Sequence, residues 1–149
     1  MYAAYIFIGI SVRSGRGMTE QQTMALVAAW HDAVNSQDID RLLVLSAATI
    51  EITGPRGSAY GHAVLRDWLG RAGLHLLPQR LFVRDSVVVV AHHATWRDAV
   101  TGNVLGEADV ASCFRVANNQ IIQYARYDNL DDALAAGRLA YADQVMNIR

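Results

Sequence analysis

The chain has 149 residues, of which 52% are hydrophobic and 18% are charged, and its formal net charge is −1. This length fits one domain with a sizeable core, and a nearly neutral chain without a basic cluster argues against binding to nucleic acid or to an anionic membrane. Cys113 is the only cysteine, so an internal disulfide cannot form. A lone thiol is typical of a reducing compartment, and we predict a cytoplasmic protein.

Residues 2–10 form an apolar run that is followed by two arginines. In a secretory signal the positive charge precedes the apolar core, and this run is too short to span a bilayer. Thr19 and Gln22 have the spacing of a capping box, which predicts a helix that begins directly after Thr19. We therefore predict an N-terminal extension over residues 1–17, whose alternating isoleucines favour a strand, and a single domain over residues 18–149.

Three helices are predicted in the first half of the chain. The first helix has one buried stripe, because three- and four-residue spacing relates Met24, Val27, His31 and Val34. Asp38 is placed to cap a second helix. A third helix is predicted from about His62 to Arg71, ending near Gly73.

Strands are predicted for the second half of the chain. A short strand over residues 48–53 and a loop over residues 54–58 precede the third helix, and a short terminal helix is predicted over residues 131–143. The four long strands are Leu76–Arg84, Ser86–Arg97, Gly106–Val116 and Gln120–Asp128. Because the turns between them are too short for crossover helices, the sheet is predicted to be mostly antiparallel. The class is α+β, with three helices packed on this sheet.

Several segments in order carry a resemblance to a known family. The segments Ala33-Val34-Asn35-Ser36-Gln37-Asp38-Ile39-Asp40, Ala48-Thr49-Ile50-Glu51-Ile52 and Gly61-His62-Ala63 resemble the NTF2-like superfamily, and residues 101–102, 113–116 and 119–121 extend the match. That superfamily includes SnoaL-like polyketide cyclases, ketosteroid isomerases and limonene-epoxide hydrolases. The resemblance implies a cone in which a strongly curved sheet and three helices enclose a blind apolar pocket. It does not by itself imply a function.

The resemblance also places the isomerase machinery, which consists of a tyrosine, an aspartate base and a protonated aspartic acid. The corresponding positions in this chain are Trp30, Ile52 and Ser112. None of the three carries the required group, so we do not predict isomerase activity by that mechanism.

The epoxide hydrolases need an Arg-x-Asp on a strand and a second aspartate near the end of the last strand. Here Arg97 and Asp98 are adjacent, so their side chains point to opposite faces. Counted from Ile121 without a gap, the position of that second aspartate falls on Asn129, and a shift of one residue puts it on Asp128. The hydrolase pattern is therefore not matched.

Alternation along the strands predicts which side chains face the pocket. Apolar alternation turns His92 inward and His93 outward, and it places Glu107 and Asp109 outside the cone. A lone inward histidine has two interpretations, a satisfied core residue or a catalyst. Arg126 and Asp128 share a face with Ile122 and Tyr124, so they form either a structural ion pair or part of a site.

We therefore predict that, if the chain is an enzyme, its catalytic residues are Asp128, Arg126 and His92. The predicted pocket residues are Trp30, Tyr60, Val90, Trp96, Val110, Ser112, Phe114, Ile122 and Tyr124. No metal ion and no cofactor is predicted. The main expectation is a pocket that binds a small, mainly apolar molecule. The alternatives are a SnoaL-like cyclase or epoxide-hydrolase-type enzyme and a non-catalytic dimerisation module.

A homodimer is also expected, formed through the outer face of the sheet. The residues predicted for that interface are Cys113, Arg115, Asp109 and Glu107, because a mixed face of this kind suits a moderately polar contact between protomers.

Overall fold

A computed structural model describes residues 18–147 and shows a seven-stranded sheet with the strand order β2-β1-β6-β5-β4-β3-β7. The helices are α1 (Glu20–Asn35), α2 (Ile39–Leu45), α3 (His62–Ala72) and α4 (Leu130–Gly137). The strands are β1 (Ser46–Gly54), β2 (Gly57–Tyr60), β3 (Leu74–Arg84), β4 (Val87–Arg97), β5 (Val104–Ala117), β6 (Gln120–Tyr127) and β7 (Gln144–Asn147). Within residues 18–147, no helix has the length and apolar character needed to cross a membrane. The predicted extension over residues 1–17 lies outside the described residues.

The sheet confirms the predicted α+β class and its mostly antiparallel pairing. Every pair of neighbouring strands is antiparallel except β1 and β6, which run parallel. The four helices pack on a curved sheet. This curvature creates a concave face, which α1, α2 and α3 cover, and a convex face.

Side-chain caps fix the ends of the first two helices. The Thr19 hydroxyl accepts from the Gln22 backbone N–H at 3.0 Å, and the Gln22 side chain accepts from the Thr19 N–H at 2.9 Å, so the predicted capping box is confirmed. Asp38 accepts from the Arg41 N–H and caps α2, also as predicted. The Asn35 side chain bonds both backbone groups of Leu76, which ties the end of α1 to the sheet.

The concave face contains the main hydrophobic core. Val88, Val90, His92 and Ala94 of β4 are fully buried, and Val110, Ser112, Phe114 and Val116 of β5 are buried beside them. Strand alternation therefore predicted the inward residues of both strands correctly.

The terminal helix α4 partly covers the convex face, a position that the sequence did not indicate. Cys113 is buried in a second cluster that includes Phe82 and Leu134, and Arg115 donates to the Ala136 carbonyl at 2.9 Å. The prediction that Cys113 is exposed for an interface is therefore wrong, because the chain's own helix covers it, and Arg115 beside it is half-buried. Glu107 and Asp109 remain exposed. A homodimer through the sheet stays a prediction, and only the area left open by α4 is available for it.

Two edge elements differ from the predicted pattern. The predicted loop over residues 54–58 is the turn of a hairpin whose second strand is β2. The terminal helix ends at Gly137 because Arg138 adopts a left-handed conformation with φ of 60°. A short 3₁₀ helix (Tyr141–Asp143) and β7 follow, and β7 pairs with β3.

A β-bulge in β6 changes the alternation there. Arg115 pairs with Gln123 and Val116 pairs with Ile121, so Ile122 is the extra residue. Ile121 is fully buried, whereas Ile122 is 39% exposed. The prediction of Ile122 as a pocket residue is therefore wrong, because the bulge turns it away from the concave face.

Gly73, at the junction of α3 and β3, is expected to tolerate substitution by a larger residue poorly. Its φ is +50°, and an added Cβ would overlap the carbonyl oxygen of Arg97. Gly73→Ala should therefore lower the free energy of unfolding by more than about 2 kcal/mol, since the left-handed conformation alone costs about 1–2 kcal/mol. Urea denaturation measures the change. Gly70→Ala is the matched control, because nothing lies within 4 Å of a Cβ there. Equal stability of the two variants would contradict the prediction.

Candidate functional site

The concave face and α3 enclose a cavity of about 440 Å³. Its lining residues come from β1, α3, β3, β4, β5, β6 and the turn after β1. They are Ile52, Thr53, Gly54, Pro55, Trp68, Arg71, Leu74, Leu76, Ala94, Trp96, Val110, Tyr124 and Arg126. The lining is therefore mainly apolar.

Aromatic side chains form much of the cavity wall, and Trp30 supports them from behind. The Trp30 ring stacks on Trp68 with centroids 6.0 Å apart and contacts Tyr124 at 4.8 Å. Its indole N–H donates to the Ser46 hydroxyl at 3.0 Å. A buried tryptophan with a satisfied N–H is held in one orientation, so the wall in front of it is preorganised.

Arg126 is a partly buried cation on the cavity wall. Its guanidinium carbon lies 5.3 Å from the centroid of the Trp96 ring, a distance at which a cation is attracted to the ring face. Its Nε is buried and has no hydrogen-bond partner among residues 18–147. No ion pair of the described residues involves Arg126.

Tyr124 provides a phenol next to this cation. Burial raises the pKa of Tyr124, and the Ser112 hydroxyl and Arg126 oppose that shift. Ser112 is thus close enough to affect the Tyr124 pKa, but its hydroxyl forms no well-aligned hydrogen bond with any of residues 18–147. The phenol is therefore protonated at neutral pH and can donate a hydrogen bond.

The cavity lining contains a second cation but no acid. Arg71 lies on the exposed part of α3, where it pairs with Asp67 at 3.0 Å. Among the described residues that line the cavity there is no aspartate, glutamate or histidine. The cavity is therefore positively charged and lacks a conventional general base.

The structure does not bring the three predicted catalytic residues together at this cavity. Asp128 is exposed, because β6 ends at Tyr127 and the chain then bends into α4. Asn129, the other candidate for the late acid position, caps α4 by accepting from the Asp132 N–H at 2.8 Å. Only Arg126 lines the cavity, so the geometric basis for a catalytic Asp128 is absent.

His92 is buried in the core and contacts a second histidine, His31. The rings of His92 and His31 are 4.8 Å apart, and both side chains are fully buried. Burial lowers the pKa of His31 to about 3 and lowers that of His92 well below its usual value. Both imidazoles are therefore neutral at physiological pH. Neither lines the cavity, which favours the core interpretation of His92.

The predicted pocket residues fall into three groups. Trp96, Val110 and Tyr124 line the cavity. Trp30, Val90, Ser112 and Phe114 are buried behind it. Tyr60 and Ile122 are exposed and were predicted wrongly. Tyr60 belongs to a short edge strand and pairs with Glu51, whose neighbour Ile52 takes the inward position.

Sequence reasoning missed the contributions of α3 and of the start of β3. Trp68 and Arg71 are three residues apart on α3, a spacing that puts both on one side of a helix. Leu74 and Leu76 alternate in β3, which begins two residues earlier than predicted. The helical spacing on α3 and the alternation in β3 could both have identified these residues from the sequence.

Arg97 and Asp98 have structural roles outside the cavity lining. Asp98 accepts from the N–H groups of Val100 and Thr101, and Arg97 donates to the Gly102 carbonyl. These bonds shape the turn between β4 and β5, which agrees with the absence of the hydrolase pattern.

A charged cluster lies on the convex face. His93 contacts Asp109 through Nδ1 and Glu107 through Nε2, each at 2.8 Å. Hydrogen bonds raise the pKa of His93, the one to Glu107 more than the one to Asp109. Among residues 18–147, no group of three or more histidine, cysteine or acidic side chains could hold a metal ion.

Comparison with known families agrees with this architecture. The family described as the SnoaL-like domain matches residues 27–124. The chain belongs to the SnoaL-like domain family. The matched range contains every residue that lines the cavity of this SnoaL-like protein except Arg126, which lies two residues beyond its end. The predicted resemblance is confirmed. No curated protein matches the chain.

Solved structures show the same fold. An NTF2-like protein from Burkholderia xenovorans is 24% identical, with a TM-score of 0.63 over 81% of this chain and 99% of that chain. A putative polyketide cyclase from Xanthomonas campestris is 22% identical, with a TM-score of 0.63 over 78% and 96% of the two chains. An LEH-like epoxide hydrolase from M. tuberculosis is 16% identical, with a TM-score of 0.64 over 80% and 93%. At these identities the similarity establishes the NTF2-like fold alone.

Proposed function

We propose that this SnoaL-like protein binds a small, mainly apolar molecule in the cavity between the sheet and α3. The observation that carries the proposal is the cavity itself, whose volume of about 440 Å³ lies within the range of about 300–1,000 Å³ that is usual for ligand pockets. Trp68, Trp96 and Tyr124 give it a wall suited to a planar apolar body.

Binding is favoured over acid–base catalysis by the chemistry of the lining. A cyclase or epoxide hydrolase that works by proton transfer needs a base within hydrogen-bond reach of its substrate. The described lining residues offer arginine, tyrosine and threonine side chains as polar groups, and no carboxylate or imidazole. Cyclase or hydrolase activity therefore has less support than ligand binding.

N-phenyl-1-naphthylamine is a suitable probe, because it is uncharged and becomes fluorescent when its rings leave water. We expect saturable binding to one site on the unmodified protein. Val110→Trp should weaken this binding at least about 10-fold, because the larger side chain fills the cavity. A fluorescence titration gives both affinities.

Leu105→Trp is the matched control for that variant. It places the same side chain on the same strand, at a position that is 69% exposed. Its affinity for the probe should equal that of the unmodified protein. An absence of saturable binding, or equal weakening by the two variants, would contradict the proposed function.

A further inference from the structure

The charge of the cavity is not balanced by its own lining. Arg126 and Arg71 are its two charged residues, and both are cations. Arg71 has Asp67 as a partner on the surface of α3, whereas no ion pair of the described residues includes Arg126. The positive charge of Arg126 is therefore available to a molecule inside the cavity.

One buried donor of Arg126, its Nε–H, lacks an acceptor among residues 18–147. An arginine carries five N–H donors, and burying a charged group without partners is costly. No described residue offers an acceptor to this Nε, and the Trp96 ring, 5.3 Å from the guanidinium carbon, accepts no conventional hydrogen bond. An anionic ligand would supply both the missing acceptors and the missing charge.

Tyr124 adds a second donor beside this cation. Tyr124 and Arg126 are two residues apart on one strand and both line the cavity, so their side chains share a face about 7 Å apart at their bases. Ser112 pairs with Arg126 across β5 and β6 and lies behind this pair. The phenol is protonated, which makes it a donor rather than a competing anion.

We propose that the cavity is selective for a planar aromatic acid, whose anionic group contacts Arg126 and accepts a hydrogen bond from Tyr124. The proposal rests on the proposed function, because it specifies the chemical class of ligand for the same cavity. Trp68 and Trp96 contact the apolar body, while the guanidinium and the phenol select for the charge.

Two fluorescent probes with the same ring system test the selectivity for charge. 8-Anilinonaphthalene-1-sulfonate is the anionic counterpart of uncharged N-phenyl-1-naphthylamine. We expect the unmodified protein to bind the sulfonate at least about 10-fold more tightly than the uncharged compound, since charged hydrogen bonds in a partly buried site are strong.

Variants of the two donors identify the residues responsible. Arg126→Met should weaken sulfonate binding at least about 10-fold and leave the affinity for the uncharged compound within about 3-fold. Tyr124→Phe should weaken sulfonate binding several-fold without weakening the uncharged compound. The controls are Arg66→Met, on the exposed surface of α3, and Tyr127→Phe, the other tyrosine of β6, which is not among the lining residues. Circular dichroism at the titration temperature verifies that each variant is folded.

The outcomes separate this inference from the proposed function. Failure of the uncharged compound to bind contradicts the proposed function. Binding of both compounds with equal affinity leaves the pocket in place and overturns selectivity for an acid. Tighter sulfonate binding that Arg66→Met reduces as much as Arg126→Met does would place the anion on the protein surface, and this also overturns the inference.

Discussion

Between pH 7.5 and pH 5.0 the protein is expected to lose about 4 kcal/mol of unfolding free energy through His31 and His92. Both imidazoles are fully buried against each other, and burial lowers the pKa of each, that of His31 to about 3. In the unfolded chain both regain a pKa of about 6.5. Unfolding therefore takes up protons below that pH.

The sign follows from these depressed values. A group whose folded-state pKa lies below its unfolded value destabilises the fold as the pH falls through the unfolded value. Each histidine contributes a slope that approaches about 1.4 kcal/mol per pH unit below about pH 6.5. Urea denaturation at several pH values measures the combined slope.

His92→Gln separates the buried pair from other titrating groups. Removing one of the two imidazoles should reduce the pH-dependent loss by about 2 kcal/mol, whatever its effect on stability at neutral pH. His93→Gln is the contrasting control. Because hydrogen bonds raise the pKa of His93, its removal should steepen the loss on acidification. A slope that His92→Gln leaves unchanged would show that the pair does not titrate on unfolding.

Trp30→Ala is expected to cost about 3–5 kcal/mol of unfolding free energy, the range for loss of a large buried aromatic side chain. Trp30 is fully buried, and its ring contacts those of Trp68, Phe114 and Tyr124. The variant also removes the donor to the Ser46 hydroxyl. Chemical denaturation at neutral pH gives the difference.

Tyr60→Ala is the control for this substitution. Tyr60 is a large aromatic residue that is 63% exposed on the edge strand, so its truncation should change stability by less than about 0.5 kcal/mol. If Trp30→Ala cost no more than Tyr60→Ala, the interpretation of Trp30 as the support of the cavity wall would be wrong.

The class of fold and the inward faces of the long strands could be predicted because they follow from strong local patterns. The Thr19 capping box and the alternation around Val90 and Val110 depend only on nearby residues, and the structure confirms them. The order of helices and strands then restricted the fold to helices packed on an antiparallel sheet.

The site was harder to predict because it depends on local irregularities and on tertiary packing. One extra residue in β6 moved Ile122 out of the core, and the end of that strand at Tyr127 left Asp128 exposed. The coverage of Cys113 by α4 depends on how the end of the chain folds back, which no local pattern indicates. Arg126 lies between these irregularities, on a regular part of the strand, so alternation still describes its direction toward the cavity.

The central claim is that the cavity in front of Trp30 is the place where this protein holds a ligand. Nuclear Overhauser contacts between N-phenyl-1-naphthylamine and the side-chain protons of the protein test it, because they report which residues touch the bound probe. We expect contacts from the probe to Trp68 and Trp96, which line the cavity, and the loss of these contacts in Val110→Trp. Contacts confined to exposed residues such as Val100 and Leu105, without contact to either tryptophan, would contradict it.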